Sequence, residues 1–242
     1  MILKQVATQI MRLFLALALG NVIGLATFAF FAIVSYALKV WELEITADFV
    51  SFSEVNYSVT LGAFMLGGSL IAGFIYSRLE GPRSHGPADL MVCIKKDELP
   101  DIKAGFITSF LTMVSVSSGS SVGMFGPIIH YGGCIAAAME RFFKVLTRGV
   151  VLAAGGAAGI AALFSAPIAA SIFAHEMLLR RFRSTESLPV IMAALGGYFS
   201  AVMLLGDNRR FLSVIGDPPP LEPFSLGMAI LVGIFSGLLS SL

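Results

Sequence analysis

Charged side chains are scarce in this chain. Asp, Glu, Lys and Arg together make up 13% of the 242 residues, whereas soluble domains carry about a quarter. Apolar residues reach 57% of the sequence, and the mean hydropathy is +0.88. Because water cannot solvate such a surface, the composition excludes an ordinary soluble domain and predicts an integral membrane protein.

Other residue types are rare enough to exclude further classes of protein. The two cysteines, Cys93 and Cys134, form no CxxC pair and predict free thiols rather than a disulfide framework. The three histidines lack the spacing of a metal site. No nucleophile–base pair indicates an enzyme, so we expect no metal and no other cofactor. The net charge of +1 implies no nucleic-acid partner.

Long stretches without any charge are the main positive signal. They cover residues 13–38, 59–76, 104–139, 149–175, 187–206 and 223–242. A helix needs roughly 20 apolar residues to span a bilayer, and backbone groups in lipid must be paired within their own segment, which favours helices. The first stretch follows Lys4 and Arg12 and is too long for a cleavable signal peptide. The sequence therefore predicts an all-α, polytopic protein in a lipid bilayer.

Proline and glycine interrupt these stretches. We predict breaks at residues 80–89, 117–127 and 165–167. The predicted helices cover residues 5–38, 57–78, 88–96, 101–116, 127–143, 148–164, 168–181, 188–205 and 224–242. Irregular backbone at membrane depth survives only inside protein or beside a wet cavity. Short, interrupted segments of this kind indicate a binding site near the middle of the membrane.

Two of the predicted helix starts indicate an anion site. One follows residues 83–87, and the other follows residues 119–126. A helix N-terminus carries unpaired N–H groups and about half a positive charge, so it attracts anions without a basic side chain. Pro127 gives up an N–H that a helix start leaves unpaired anyway. The hydroxyls of Ser84 and Ser120 can also donate to an anion.

Three motifs resemble segments of the CLC family of chloride channels and proton-coupled chloride transporters. Residues 122–133 are similar to the family's GREGP segment and the residues after it. Residues 153–170 are similar to its AAGAAAGIAAAFNAPLAG run, and residues 84–91 to its GSGIPEVM segment. The order and the spacing of the three motifs agree with the family.

The resemblance implies a known fold. The CLC membrane domain consists of two inverted halves of tilted, broken and re-entrant helices, assembled as a homodimer with one anion pathway per subunit. Residues 1–222 would form the first half, and residues 223–242 the truncated start of the second. The family's GxFxP segment and pore-lining tyrosine belong to the second half, so we expect a missing half to complete the site. The resemblance also implies a bacterial inner or plasma membrane location.

The resemblance also implies which residues meet the anion. They are Ser84, His85, Gly86, Pro87, Gly123, Met124, Phe125, Gly126 and Pro127. Either Ser84 or His85 stands at the family's central serine. Phe125 replaces the gating glutamate, and Met177 replaces a second glutamate on the inner proton path. Because neither side chain carries a proton, the resemblance implies passive passage of chloride or a similar small anion, with Phe125 as a hydrophobic gate.

Two alternatives stay open. One is a proton-coupled chloride antiporter that uses another proton carrier, such as His175. The other is a transport-inactive structural or regulatory subunit. We expect Glu176 to cap or pair within the protein, and His130 to be a hydrogen-bonded packing group. The basic residues within 180–183 are expected to face lipid headgroups and solvent.

Overall fold

The computed structural model of the protein describes residues 2–49, 54–78, 86–120, 122–123 and 125–205, and all of these belong to one compact unit. The regular elements of this part are all helices, and it contains no strand. The helices are α1 (Ile2–Phe49), α2 (Glu54–Ser77), α3 (Pro87–Lys96), α4 (Ile102–Ser117), α5 (Phe125–Met139), a 3-10 turn (Glu140–Phe142), α6 (Arg148–Phe164), α7 (Pro167–Phe173), a π-helical turn (Ala174–Leu179) and α8 (Ser184–Leu205). The predicted last helix, at residues 224–242, lies outside the described residues.

Most predicted helices are present, and α6 has the predicted bounds. Helix α1 ends at Phe49, past the predicted end at residue 38. The predicted end was wrong because we placed it where the charged residues begin. Charged residues mark where a helix leaves the lipid, but the helix can continue through them, because Lys and Glu are good helix formers. Helix α5 begins at Phe125, two residues before the predicted start at Pro127. The proline still occupies the first turn, where its missing N–H removes no helical hydrogen bond.

The segment at residues 168–181 does not form the single α-helix that we predicted. Helix α7 ends at Phe173, and the chain continues as a π-helical turn to Leu179. Arg180 then adopts the left-handed conformation, with φ 54°, and ends the turn. Side-chain periodicity hardly distinguishes these two helical forms, because a π turn inserts a single residue into an α-helical pattern.

Helix α8 begins four residues before the prediction, which placed its start at residue 188 next to Pro189. The carbonyl of Arg183 opens the helix by accepting bonds from Glu186 N (2.9 Å) and Ser187 N (2.8 Å). Pro189 is the sixth residue of the helix, so its missing N–H removes one main-chain hydrogen bond close to the N-terminus.

Only two of the described helices contain windows long and apolar enough to cross a membrane by themselves. These windows are Val6–Ala37 and Ser184–Leu204. The apolar helices Ile102–Ser117 and Arg148–Phe164 are shorter, as is the stretch Pro167–Leu179. Short helices between long ones agree with the predicted broken architecture. Their unpaired ends must meet partners inside the protein, because lipid offers none.

Helix α6 is the centre of the core. Each residue from Gly149 to Leu163 is buried, mostly against α5, α8 and α1. Its small residues allow backbones to touch. A Cβ at Gly155 would lie 2.5 Å from the carbonyl oxygen of Gly132 on α5. A Cβ at Gly197 on α8 would overlap the carbonyl group of Ala158. The positions of α5 and α8 therefore depend on the absence of side chains at these glycines.

Replacing Gly155 with valine should destabilise the fold. The added side chain would displace the backbone of α5, and overpacking of a close-packed core costs about 3 kcal/mol. We expect Gly155→Val to lose its monodisperse peak in detergent size-exclusion chromatography and to unfold at lower temperature. Gly67→Val is the matched control, because a Cβ at Gly67 has no neighbour within 4 Å. Equal behaviour of the two variants would contradict the close backbone contact.

Candidate functional site

Two helix N-termini are open to a ligand. Gly86 precedes α3 in an extended conformation (φ −165°, ψ −168°), and no side chain caps the helix there. The first bond within α3 runs from Leu90 N to Gly86 O at 3.2 Å, so the helix itself does not use the N–H groups before Leu90. Helix α5 starts at Phe125, and its third residue is Pro127. Both helix ends therefore carry the partial positive charge of the helix dipole.

The structure brings these two helix starts together. A Cβ at Gly126 would lie 3.4 Å from Pro87 Cδ, and one at Gly133 would lie 2.6 Å from Leu90 Cδ1. The contacts follow the same order along both helices, so α3 and α5 run in the same direction where they touch. Their N-termini therefore lie next to each other. Two segments that are 35 residues or more apart in the sequence form a single positively polarised region.

The predicted anion-site residues divide into two groups. Gly86 and Pro87 meet Gly126 at the joined helix starts. Phe125 and Pro127 belong to the same first turn of α5, and Gly123 lies in the exposed segment before it. Ser84, His85 and Met124 lie outside the described residues. The role of all nine as anion ligands stays a prediction.

An open recess of about 480 Å³ lies beside Gly86 and Val122. Hydroxyl groups from α2 and α4 form much of its wall, including those of Ser69, Thr108, Thr112 and Ser115. The Ser120 hydroxyl, which we expected could donate to an anion, is hydrogen-bonded to the Ser69 hydroxyl at 3.1 Å. Thr108 and Thr112 donate to carbonyls of their own helix. The threonine hydroxyls are therefore engaged within α4, and the main-chain N–H groups of the helix starts are the donors on which the anion site would chiefly depend.

The ring of Phe125 packs against a partner that the sequence did not reveal. Its centroid lies 5.0 Å from that of Phe164, with an interplanar angle of 32°. The two rings are 46% and 45% exposed. Phe164 ends α6, and Ser165 turns the chain with φ 53°. The Ser165–Pro167 break was visible in the sequence, but nothing local indicated that it faces Phe125.

The positions of the family's inner proton path lie in the π-helical turn. Met177 and Glu176 are exposed, whereas the His175 ring is buried. His175 Nδ1 donates to the carbonyl of Arg181 at 3.1 Å, and its ring lies 4.8 Å from that of Phe182. Glu176 makes no hydrogen bond or ion pair within the described residues, so the capping or pairing role that we expected for it is wrong there. The side chain lies on the surface of the described part of the chain instead.

The basic residues after the π-helical turn, Arg180, Arg181 and Arg183, are all exposed, as predicted. Arg181 also donates through Nε to Glu186 Oε2 at 2.8 Å, and Glu186 is nearly buried. This ion pair ties the end of the π-helical turn to the first turn of α8.

Residues 68–242 match the family model described as voltage gated chloride channel. The chain belongs to this CLC family of chloride channels. The match includes both helix starts, the Phe125–Phe164 pair and the π-helical turn, and it confirms the resemblance inferred from the three motifs.

Individual CLC proteins agree with this assignment. The voltage-gated ClC-type chloride channel ClcB of Yersinia pseudotuberculosis serotype O:1b (strain IP 31758) is 29% identical over 177 residues, which are 70% of this chain and 43% of that protein. ClcB of Shigella flexneri is 27% identical over 237 residues, 93% of this chain and 56% of that protein. The chain spans about half the length of the curated relatives it matches.

The X-ray structure of a slow cyanobacterial Cl⁻/H⁺ antiporter has the same fold. It aligns with a TM-score of 0.71 and 19% identity over 94% of this chain and 54% of that one. At this identity the likeness shows the fold alone. It confirms the predicted class, an all-α membrane protein of CLC type.

The positive potential at Gly86 can be measured by cysteine labelling. We expect Gly86→Cys to react faster with a negatively charged methanethiosulfonate than with a positively charged one, by about three- to thirtyfold, because the reagents differ by two charges at a helix N-terminus. Gly73→Cys is the matched control, since both glycines line the recess and have open space. The natural cysteines, Cys93 and Cys134, are buried and should react slowly. Equal reagent preference at both positions would contradict an anion-selective helix start.

Proposed function

We propose that the protein passes chloride or a similar small anion across a membrane, and that it does so passively. The observation that carries this proposal is the pair of open N-termini, of α3 and α5, side by side next to a recess. Membership of the CLC family and the names of the ClcB relatives support chloride as the anion. The protein would act as a transporter and not as an enzyme, with the anion as its substrate and no cofactor.

Main-chain dipoles rather than basic side chains would attract the anion. Gly86, Pro87 and Gly126 form the joined helix starts, and none of them carries a charge. A preformed cluster of N–H groups replaces part of the hydration shell of a small anion at little reorganisation cost. It binds weakly enough to release the anion, because no full positive charge holds it. We infer that Ser84 or His85 adds one more donor next to Gly86.

The Phe125–Phe164 pair would be the gate. Two phenyl rings with centroids 5.0 Å apart form an apolar constriction at the first turn of α5. An anion must shed water to pass such a constriction, so the rings would limit the rate without taking up a proton. The exposed Met177 at the inner position is equally unable to carry one. Passive passage therefore fits this chain better than strict exchange of chloride for protons.

Other parts of the pathway would come from outside the described residues. The CLC proteins that resemble this chain are about twice as long. We propose that a second half of the membrane domain, which residues 223–242 would begin, completes the anion site. We further propose a multi-pass homodimer in a bacterial inner or plasma membrane, in contact with lipid and with no nucleic-acid partner.

A second candidate is a proton-coupled antiporter. The solved structure with the same fold is that of a Cl⁻/H⁺ antiporter, and this chain has ionisable side chains other than the two glutamates that the family uses. A transport-inactive subunit is the third possibility. Simultaneous measurement of chloride and proton movement in liposomes separates the three. Chloride efflux without proton uptake supports the channel, a fixed ratio of the two ions supports the antiporter, and no efflux supports the inactive subunit.

Removing the ring at position 125 should speed chloride efflux. In liposomes reconstituted with the native protein, we expect Phe125→Ala to raise the rate of chloride efflux about fivefold. This corresponds to an activation free energy for passage that is lower by about 1 kcal/mol. Phe142→Ala is the control, because Phe142 is also exposed but packs on Arg141 beyond the end of α5. A rate that is unchanged in Phe125→Ala, with folding intact, would contradict the gate.

A further inference from the structure

A carboxylate and an imidazole lie close together within the first two turns of the helices whose N-termini meet. Asp89 lies in the first turn of α3, and His130 lies in the second turn of α5. Asp89 Oδ2 and His130 Nε2 are 3.4 Å apart. The imidazole is 1% exposed and the carboxylate 26%. The sequence predicted His130 as a hydrogen-bonded packing group, but it did not reveal that a carboxylate at the proposed anion site is its neighbour.

The surroundings hold the imidazole in place and contribute little charge. Helix α4 covers the ring at Gly105, where a Cβ would lie 3.3 Å from His130 Cε1. On α5, Cys134 Sγ lies 3.8 Å and 3.9 Å from the two ring nitrogens.

Few other ionisable groups act on this region. Asp89, Cys93 and Asp101 act electrostatically on Cys134, and Asp89, Glu98 and Lys96 act on Cys93. Buried thiols stay protonated near neutral pH. The Asp101 carboxylate accepts the Ala104 N–H at the start of α4. Imidazole is the side chain whose protonation commonly changes near neutral pH, so we assign a change of charge in this region to the Asp89–His130 pair.

The charge of this pair acts on the proposed anion site. A carboxylate in the first turn of a helix is stabilised by the same positive potential that would attract chloride. With His130 neutral, the pair carries one negative charge beside the helix starts and repels an anion. With His130 protonated, the pair is neutral overall and the repulsion is lost.

We propose that Asp89 and His130 form a proton-sensitive element that controls anion occupancy at the N-termini of α3 and α5. The inference rests on the proposed anion passage. It assigns pH dependence to a pair made of a buried imidazole in the second turn of α5 and a partly exposed carboxylate in the first turn of α3. These positions differ from the two glutamate positions that the resemblance assigns to Phe125 and Met177. Both residues are positioning residues, because they act on the anion through the helix starts and do not need to touch it.

Chloride efflux at two pH values tests the proposal. In liposomes reconstituted with the native protein, we expect chloride efflux to be about fivefold faster at about pH 5.5 than at about pH 8. A difference of this size is expected when one unit charge changes near a partly buried site. Asp89→Asn should be fast at both pH values, because the repelling charge is gone. His130→Gln should be slow at both, because the charge of Asp89 is no longer neutralised. General structural damage would slow both variants and cannot produce these opposite effects.

A matched control and a second measurement complete the test. His175→Gln removes the other described buried histidine and should keep the wild-type pH profile. Chloride should also protect Gly86→Cys from labelling more strongly at the lower pH, which is measurable without transport. A wild-type profile that stays flat, or that is unchanged in Asp89→Asn, would overturn the proton-sensitive element while efflux itself stands. Absence of efflux at every pH, with protection intact, would instead overturn passive passage.

Discussion

Direct contact between helix backbones around α6 is the constraint on which the rest of the structure depends. A membrane protein cannot use water to drive its helices together, so close packing must hold them. In α6 this closeness comes from glycine and alanine, with Gly155 on Gly132 of α5 and Ala158 on Gly197 of α8. The central helix is buried over nearly its whole length. It fixes α5, and through α5 it fixes where the N-terminus at Phe125 lies.

Held in this way, short helices can end inside the protein. Helices α3 and α5 have 10 and 15 residues, too few for α3 to cross a bilayer. Their N-termini meet at Pro87 and Gly126. An unpaired helix end is costly in lipid, but inside a protein it is a preformed site for an anion. The small residues of α6 that allow this close packing therefore also support the electrostatics that we assign to the pathway.

At the position that we matched to the family's gating glutamate, the proposed pathway would have an apolar side chain, and a titratable pair lies close to it but outside the path. Phe125 stacks on Phe164 and contributes only an apolar barrier. The nearest described carboxylate–imidazole pair, Asp89 and His130, lies behind the helix starts on two helices. Charge at that place can alter anion affinity without entering the path. The apolar barrier that gates the path and the charge that controls anion affinity would thus reside in different residues.

The sequence by itself determined the membrane class, the bounds of α6, the breaks before Phe125 and at Ser165–Pro167, and the family. These features follow from composition and from local motifs, which act over a few residues. Only the tertiary structure decided that Phe164 is the partner of Phe125 and that Asp89 is the partner of His130. Such pairs join residues far apart in the chain, and which residues meet depends on how closely the backbones pack, a quantity that no local pattern encodes.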